Sequence, residues 1–457
     1  MSMTNLSAVA EAINAEVVGS DVTFNRVTTD SRAIEAGDLF VALRGEKFDG
    51  HAFAAQAIAD GAAAVMVDHR ISDAMPALIV QDTRIGLGRL AAFWRDQFET
   101  PILAVTGSNG KTTVKEMLAA ILREACAAST NKNEAVLATQ GNLNNDIGMP
   151  LTLLSLRSNH RYAVIEMGMN HAGEIAYLSR LARPDVAMIN NAHAAHLAGL
   201  KTVEEVARAK GEIFEGLKQD GVAIINADDV YAPLWRELIG DRTVIDFGVE
   251  SSAKVTAGYK LGVFESVITI QNPQGEMQVV LKVPGMHNVR NALAASAVAL
   301  AIHIPNEIIA AGLGKFSGVK GRLQRKACLH GATLIDDSYN ANPDSVKAAI
   351  SVLAAALGKK VLVLGDMGEL GPGAEAFHKQ LGMQAKQAGI DVLLALGDLS
   401  RFTVEGFGVG AWHFERIQEL LADLENYLAP DVTVLVKGSR FMQMERVVKS
   451  FEIRSEA

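Results

Sequence analysis

Residues 102–118, ILAVTGSNGKTTVKEML, constrain the fold of this chain more than any other stretch. A short apolar run meets a glycine-containing turn, and helical periodicity follows. A strand that feeds a helix through a tight turn is a building unit of a helix-covered parallel sheet. The same turn suits a polyphosphate, which needs closely spaced backbone N–H donors, a helix N-terminus and no obstructing side chain. Gly107 and Gly110 permit that approach. Lys111 is placed to meet β- and γ-phosphates, and the Thr112 hydroxyl to ligate Mg²⁺. The spacing departs from G-x-x-x-x-G-K-[ST], because Val105 stands five before Gly110. The plainer alternative is a glycine-rich turn whose lysine and threonines only cap the helix.

The rest of the chain repeats this texture. At ~100–200 residues per domain, 457 residues predict three domains. Residues 1–99 mix short β-like runs (DLFVAL, AAVMVD, ALIVQD) with Ala-rich helical stretches, as a small α/β module. Residues 100–314 add strands at RYAVIEMG, DVAMIN and GVAIINADD, with helices such as VEEVARAKGEIFEGL between them. This predicts a mostly parallel sheet covered on both faces. A β-rich part near 243–283 carries Asn272-Pro273 and Gly275, which predict a hairpin turn. In residues 315–457, ATLIDDSYN, KKVLVLGDMG, DVLLALGD and DVTVLVKGS are apolar strands ending in polar or glycine-containing segments. This is a Rossmann-like pattern whose carboxyl ends are natural ligand sites.

Composition narrows the function. Lys and Arg total 43 against 52 Asp and Glu, and no basic run occurs. That argues against a general nucleic-acid or membrane-surface binder. The two cysteines, Cys126 and Cys328, rule out a disulfide framework and a Cys-rich zinc site. The first residues lack a basic stretch ahead of an apolar core, so no signal peptide is expected. The apolar stretches fall short of the ~20 residues that span a bilayer. The expectation is a cytoplasmic protein that acts as a monomer.

TGSNGKTT resembles the shorter phosphate loop of the Mur ligases and folylpolyglutamate synthases, and further blocks extend the resemblance to Mur ligases along the whole chain. It implies that Gly107, Ser108, Asn109, Gly110, Lys111, Thr112 and Thr113 bind ATP. Glu166 of the E-M-G block and His196 of AHL would bind Mg²⁺ with Thr112. Lys210 of AKGEIF would carry a carbamate that helps hold a second Mg²⁺. Without the resemblance, Lys210 reads as an ordinary helix lysine and His196 as a structural histidine; His193 matches no role. PGMHNVRN places Asn288 and Asn291 on one helix face, and the resemblance implies that both bind ATP. Arg322 of GRLQ would contact the γ-phosphate. Asp337, Tyr339, Asn340 and Asn342 of IDDSYNANP would line the ATP site from the third domain, although a polar turn with helix caps explains them too.

In the first domain, Ser31, Arg32, Lys47, Asp49 and His51 resemble a UDP-sugar-binding module. Asn142, Asn144 and Asn145 of GNLNND match substrate-binding positions. No D-N-P-R block, the selectivity mark of ligases adding the third residue, occurs in the last domain. GNLNNDIGMPLTLL, EMGMNHAGEI and DDSYNANPDS resemble the family members that add D-alanyl-D-alanine, and the resemblance implies UDP-N-acetylmuramoyl-tripeptide and D-alanyl-D-alanine as substrates, joined through an acyl phosphate formed from ATP. No deprotonating base is identifiable. The alternatives are a Mur ligase adding a single amino acid, a folate polyglutamylating enzyme, or a nucleotide-dependent switch ATPase.

Overall fold

Strand Ile102–Thr106 is buried along its whole length and lies fourth in a six-stranded, all-parallel sheet. The computed structural model describes residues 2–127, 133–195 and 197–453 of the chain. Across this central sheet the order is Thr243–Phe247, Val222–Asn226, Val186–Ile189, Ile102–Thr106, Tyr162–Glu166 and Val136–Ala138. Strand order reverses at Ile102–Thr106, which puts the phosphate loop at the switch point where open parallel sheets bind ligands.

Alternation along the strands divides the core. Leu103, Val105, Val164, Met188 and Ile224 face the helices Lys111–Ala125, Met286–Ala301 and Asn306–Lys315. A three-stranded antiparallel sheet packs on that side. Two of its strands, Ser266–Asn272 and Gly275–Leu281, are joined at Pro273-Gln274, the expected hairpin turn. Ala104, Ile165, Ile189 and Ile225 face the other way and share one continuous core with the amino-terminal module. That module is a five-stranded sheet ordered Glu16–Val18, Ala77–Ile79, Ala64–Val67, Asp38–Val41 and Arg26–Thr28. Helix Thr83–Arg95 joins it to the central unit: Leu87 and Leu90 enter the shared core, and Arg95 donates to the Ala182 and Arg183 carbonyls at 2.8 Å.

The carboxyl-terminal sheet has six strands, ordered Gln324–Ala327, Thr333–Asp337, Val432–Lys437, Lys359–Gly365, Val392–Leu396 and Ala411–Phe414. All are parallel except the first pair. The four apolar runs expected from sequence are its interior. The edges Gln324–Ala327 and Ala411–Phe414 escape a hydrophobicity reading because each leaves part of its length in solvent. Both faces of this sheet bury their own residues, and among the described residues only the half-buried Phe264 joins them from the central unit. No described helix is long and apolar enough to cross a membrane.

Candidate active site

The loop after Ile102–Thr106 is shaped by two glycines. Gly107 takes φ 154° and Gly110 φ 79°, and Gly110 caps helix Lys111–Ala125. A Cβ on Gly110 would lie 2.3 Å from Asn291 Oδ1 and 2.4 Å from Asn190 Nδ2, so any side chain there collides with the loop's own supports. The Lys111 ammonium folds back to donate to the Gly107 carbonyl at 2.5 Å. Burial lowers the pKa of Lys111; Glu166 opposes that shift and Arg322 adds to it.

Beside the loop, the Thr112 hydroxyl donates to Glu166 Oε2 at 2.9 Å, and Asn144 Nδ2 donates to Glu166 Oε1 at 2.8 Å. The Glu166 amide donates to the Thr139 hydroxyl at 2.9 Å, which fixes the end of its strand. Glu166 is 2% exposed, and Thr112 adds a second oxygen, a donor set that suits a hard cation. Lys210 is buried in helix Val203–Gly211. Its pKa falls well below the usual lysine range, first through burial and then through the charge of Lys111. His196 lies outside the described residues. Asn145 caps the backbone of Ile147 and Gly148, and Asn142 is exposed.

Opposite the loop stands the carboxyl end of the third sheet. Arg322 Nη2 donates to the Thr112 hydroxyl at 3.0 Å, and its guanidinium stacks over Tyr339 with 4.6 Å to the ring centroid. Asn342 Nδ2 donates to Asn109 Oδ1 at 2.8 Å. Asn342 also forms a capping box with Ser345 on helix Pro343–Ala354, so the cap coexists with the reach to Asn109. Asp337 and Lys437 are register partners on adjacent strands and form a buried ion pair at 2.6 Å. Lys437 also donates to the Asn340 carbonyl at 2.9 Å. Burial nevertheless raises the pKa of Asp337, against the pull of Lys437. Asn291 Nδ2 donates to Asn288 Oδ1 at 3.2 Å, which confirms their common face. Between these walls lies a cleft of ≈ 630 Å³ lined from both sides, from Ser108 to Lys437.

Sequence reasoning missed several supports of this cleft. Asn190 and Asn191 bond the loop from the neighbouring strand end. His193 holds Ser108, its amide donating to the hydroxyl at 2.9 Å and its carbonyl accepting from it at 3.2 Å. Its ring lies 3.6 Å from the Asp344 carboxylate across the cleft. The consecutive asparagines after DVAMI were the available signal.

The first-domain cluster is more divided. Arg32 pairs with Asp30 in solvent, and Lys47 is exposed. His51 is 8% exposed, with Nδ1 2.6 Å from Asp49 Oδ1 and Nε2 accepting from the Asp68 amide at 3.0 Å. Both ring nitrogens are thus engaged by the protein, and His51 orders the loop from inside. His51, Asp68 and His69 bring potential metal-ligating atoms within 4.8 Å, but Arg44 donates to both oxygens of Asp68 and opposes a cation there.

The Mur ligase family catalytic-domain model matches residues 23–94, the Mur ligase middle-domain model 105–299, and the Mur ligase glutamate ligase domain model 321–440. The chain is 45% identical over 456 residues to the UDP-N-acetylmuramoyl-tripeptide–D-alanyl-D-alanine ligase of Escherichia coli K12, covering 99% of each protein. It is 42% identical to the ligase of that name from Haemophilus influenzae, covering 98% of this chain and 99% of the relative. Among solved structures, MurF from Acinetobacter baumannii superposes with a TM-score of 0.92 at 37% identity, covering 98% of both chains. MurF ligase from Thermotoga maritima in complex with ADP gives 0.83 at 26% identity, covering 93% of this chain and 96% of that one.

Proposed function

The chain belongs to the Mur ligase family, and from that premise we infer how its cleft works. The protein is an ATP-dependent ligase that adds D-alanyl-D-alanine to UDP-N-acetylmuramoyl-tripeptide in peptidoglycan synthesis. The observation that carries the mechanism is the meeting of two domains on one loop. Arg322 reaches Thr112 and Asn342 reaches Asn109, so the groups that would hold ATP come from both walls.

In the first step the tripeptide carboxylate attacks the γ-phosphorus of ATP. The bond to the β,γ-bridging oxygen breaks, and ADP and an acyl phosphate form. Lys111 and Arg322 stabilise the charge on the transferring phosphoryl oxygens. Thr112, Glu166 and, by the family resemblance, His196 would hold Mg²⁺, which supplies further charge neutralisation when bound. In the second step the free amine of D-alanyl-D-alanine attacks the acyl carbon. The tetrahedral intermediate collapses to the amide and releases phosphate. Closure of the cleft excludes water from the acyl phosphate.

In this proposal Lys210 would carry a carbamate that would help hold a second Mg²⁺. Its burial supports the idea, because burial favours the neutral amine that reacts with CO₂. Asn288, Asn291, Asp337, Tyr339 and Asn340 complete the ATP site. Ser31, Arg32, Lys47 and Asp49 present the UDP-binding face, with His51 acting through Asp49; Asn142, Asn144 and Asn145 lie toward the muramoyl peptide. The proposal takes domain boundaries near residues 99 and 314, and a monomer working in the cytoplasm.

Phosphate release tests it, measured with ATP, UDP-N-acetylmuramoyl-tripeptide and a panel of amines. D-alanyl-D-alanine should stimulate release strongly and single amino acids little. Equal release without any acceptor would point to a switch ATPase instead.

A further inference from the structure

Asparagine side chains from two separate segments converge on one loop residue, Asn109, and asparagines from two more brace Asn190 behind it. The Asn109 N–H donates to Asn191 Oδ1 at 2.8 Å. The Asn109 carbonyl accepts from Asn191 Nδ2 at 3.1 Å and from Asn190 Nδ2 at 2.9 Å. Asn190 Nδ2 also reaches Asn291 Oδ1 at 3.0 Å, and the Asn190 carbonyl accepts from Asn226 Nδ2 at 3.1 Å. The Asn109 side chain, in turn, accepts from Asn342 at 2.8 Å. The Ser108 N–H is taken as well, by the Asn191 carbonyl at 3.0 Å.

A primary amide carries a donor and an acceptor on two separate atoms of one uncharged planar group, so it can pair with an N–H and a C=O of the same residue. Asn191 uses both functions on Asn109, as a neighbouring strand would. A carboxylate in its place would keep the acceptor, lose the donor, and set a negative charge beside an anion site. The result is a division within the loop. Ser108 and Asn109 have their N–H groups committed to Asn191. The N–H groups of residues 110–113 have no acceptor among the described residues, as expected at a helix start.

We propose that Asn190 and Asn191 are positioning residues for nucleotide capture. They hold Asn109 so that the N–H groups of residues 110–113 face the polyphosphate and the Asn109 side chain is presented to Asn342 of the closing domain. The shape of the anion site and the docking of the third domain are then set by the same two residues. This deepens the ligase assignment and rests on it for the identity of the nucleotide.

The test uses the full chain with Asn191→Ala, Asn191→Asp and Asn190→Ala. It measures ADP affinity by titration calorimetry, thermal unfolding, and KM for ATP and for D-alanyl-D-alanine. Loss of one or two hydrogen bonds that orient the loop should weaken ADP binding by about tenfold in Asn191→Ala and Asn190→Ala. Asn191→Asp should weaken it further despite its near-identical shape. KM for ATP should rise by a similar factor while KM for the dipeptide stays within about twofold, the split expected when only nucleotide capture is affected. ADP binding at unmodified strength in any folded alanine variant would overturn the proposal. So would equal rises in both KM values with a lowered melting temperature, since that pattern is general loosening. Should Asn191→Ala fail to fold, Asn190→Ala decides, because its lost donors share the same acceptor. Failure of the ligase assignment looks different: the unmodified protein would form no amide, yet the calorimetry would still read the loop.

Discussion

Lys111 and Lys210 are both lysines whose pKa burial depresses, and they should fail differently when removed. Lys111→Ala should lower turnover by at least ~100-fold, the usual scale for losing a preorganised charge at a reacting phosphoryl group, with a nearly unchanged melting curve. Near-normal turnover in a folded variant would remove Lys111 from its role. Lys210→Ala should also lose activity, and added bicarbonate or a short carboxylate should restore part of it; full activity without rescue would eliminate the carbamate. Lys437 offers a stability test. Lys437→Met leaves Asp337 buried without its counter-ion and should cost about 3–5 kcal/mol in chemical denaturation. His287 adds a pH signature. Burial, with Lys437 and Arg290, depresses it from 6.5 to about 4. As pH falls below 6.5 the unfolded chain takes up this proton first, so the contribution of His287 to stability is whole above that value and is lost toward pH 4. Unfolding followed across pH 4–7 should therefore be flatter in His287→Gln. Lys111, Glu166 and Arg322 stand in charged or glycine-bearing blocks that mark them in the sequence, and the structure brings them together. Asn190, Asn191 and Lys437 were not recognised as supports, because their roles depend on what register and strand order place beside them.

At the scale of elements, the phosphate loop runs straight into its helix, with Gly110 at the junction. Gly110→Ala forces a side chain into a left-handed backbone and against Asn190 and Asn291. It should cost about 1–3 kcal/mol in stability and depress ADP binding more than that figure alone suggests, since the loop must shift to relieve the clash. ADP affinity equal to the unmodified protein would contradict the geometry. Asn342→Ala removes the cap of helix Pro343–Ala354, worth ~1 kcal/mol, together with the bond to Asn109. The interior strands of the amino-terminal, central and carboxyl-terminal sheets were legible, because buried parallel strands are continuous apolar runs. The edge strands were not: Gln324–Ala327 alternates half-buried and exposed positions and reads QRKA. The hairpin at Asn272 to Gly275 was legible from turn chemistry, with Asn272 Oδ1 accepting from the Gln274 amide at 2.8 Å.

For the whole molecule, the decisive feature is where the cores are continuous and where they are separate. The amino-terminal and central units share one apolar core, whereas the third has its own on both faces of its sheet. Contact across the cleft is largely polar, through Arg322, Asn342 and the His193–Asp344 pair. Calorimetry without nucleotide should therefore resolve two unfolding transitions, and ADP, which the proposal places in the folded cleft, should raise both and draw them together. One transition indifferent to ADP would mean that the third domain is not the moving part. The chemistry itself is tested most directly by labelling the terminal carboxyl of the tripeptide with ¹⁸O and analysing the phosphate released during ligation. An acyl phosphate predicts one labelled oxygen in each phosphate formed with an amide bond. Phosphate free of label, from a reaction that still makes the amide, would contradict it.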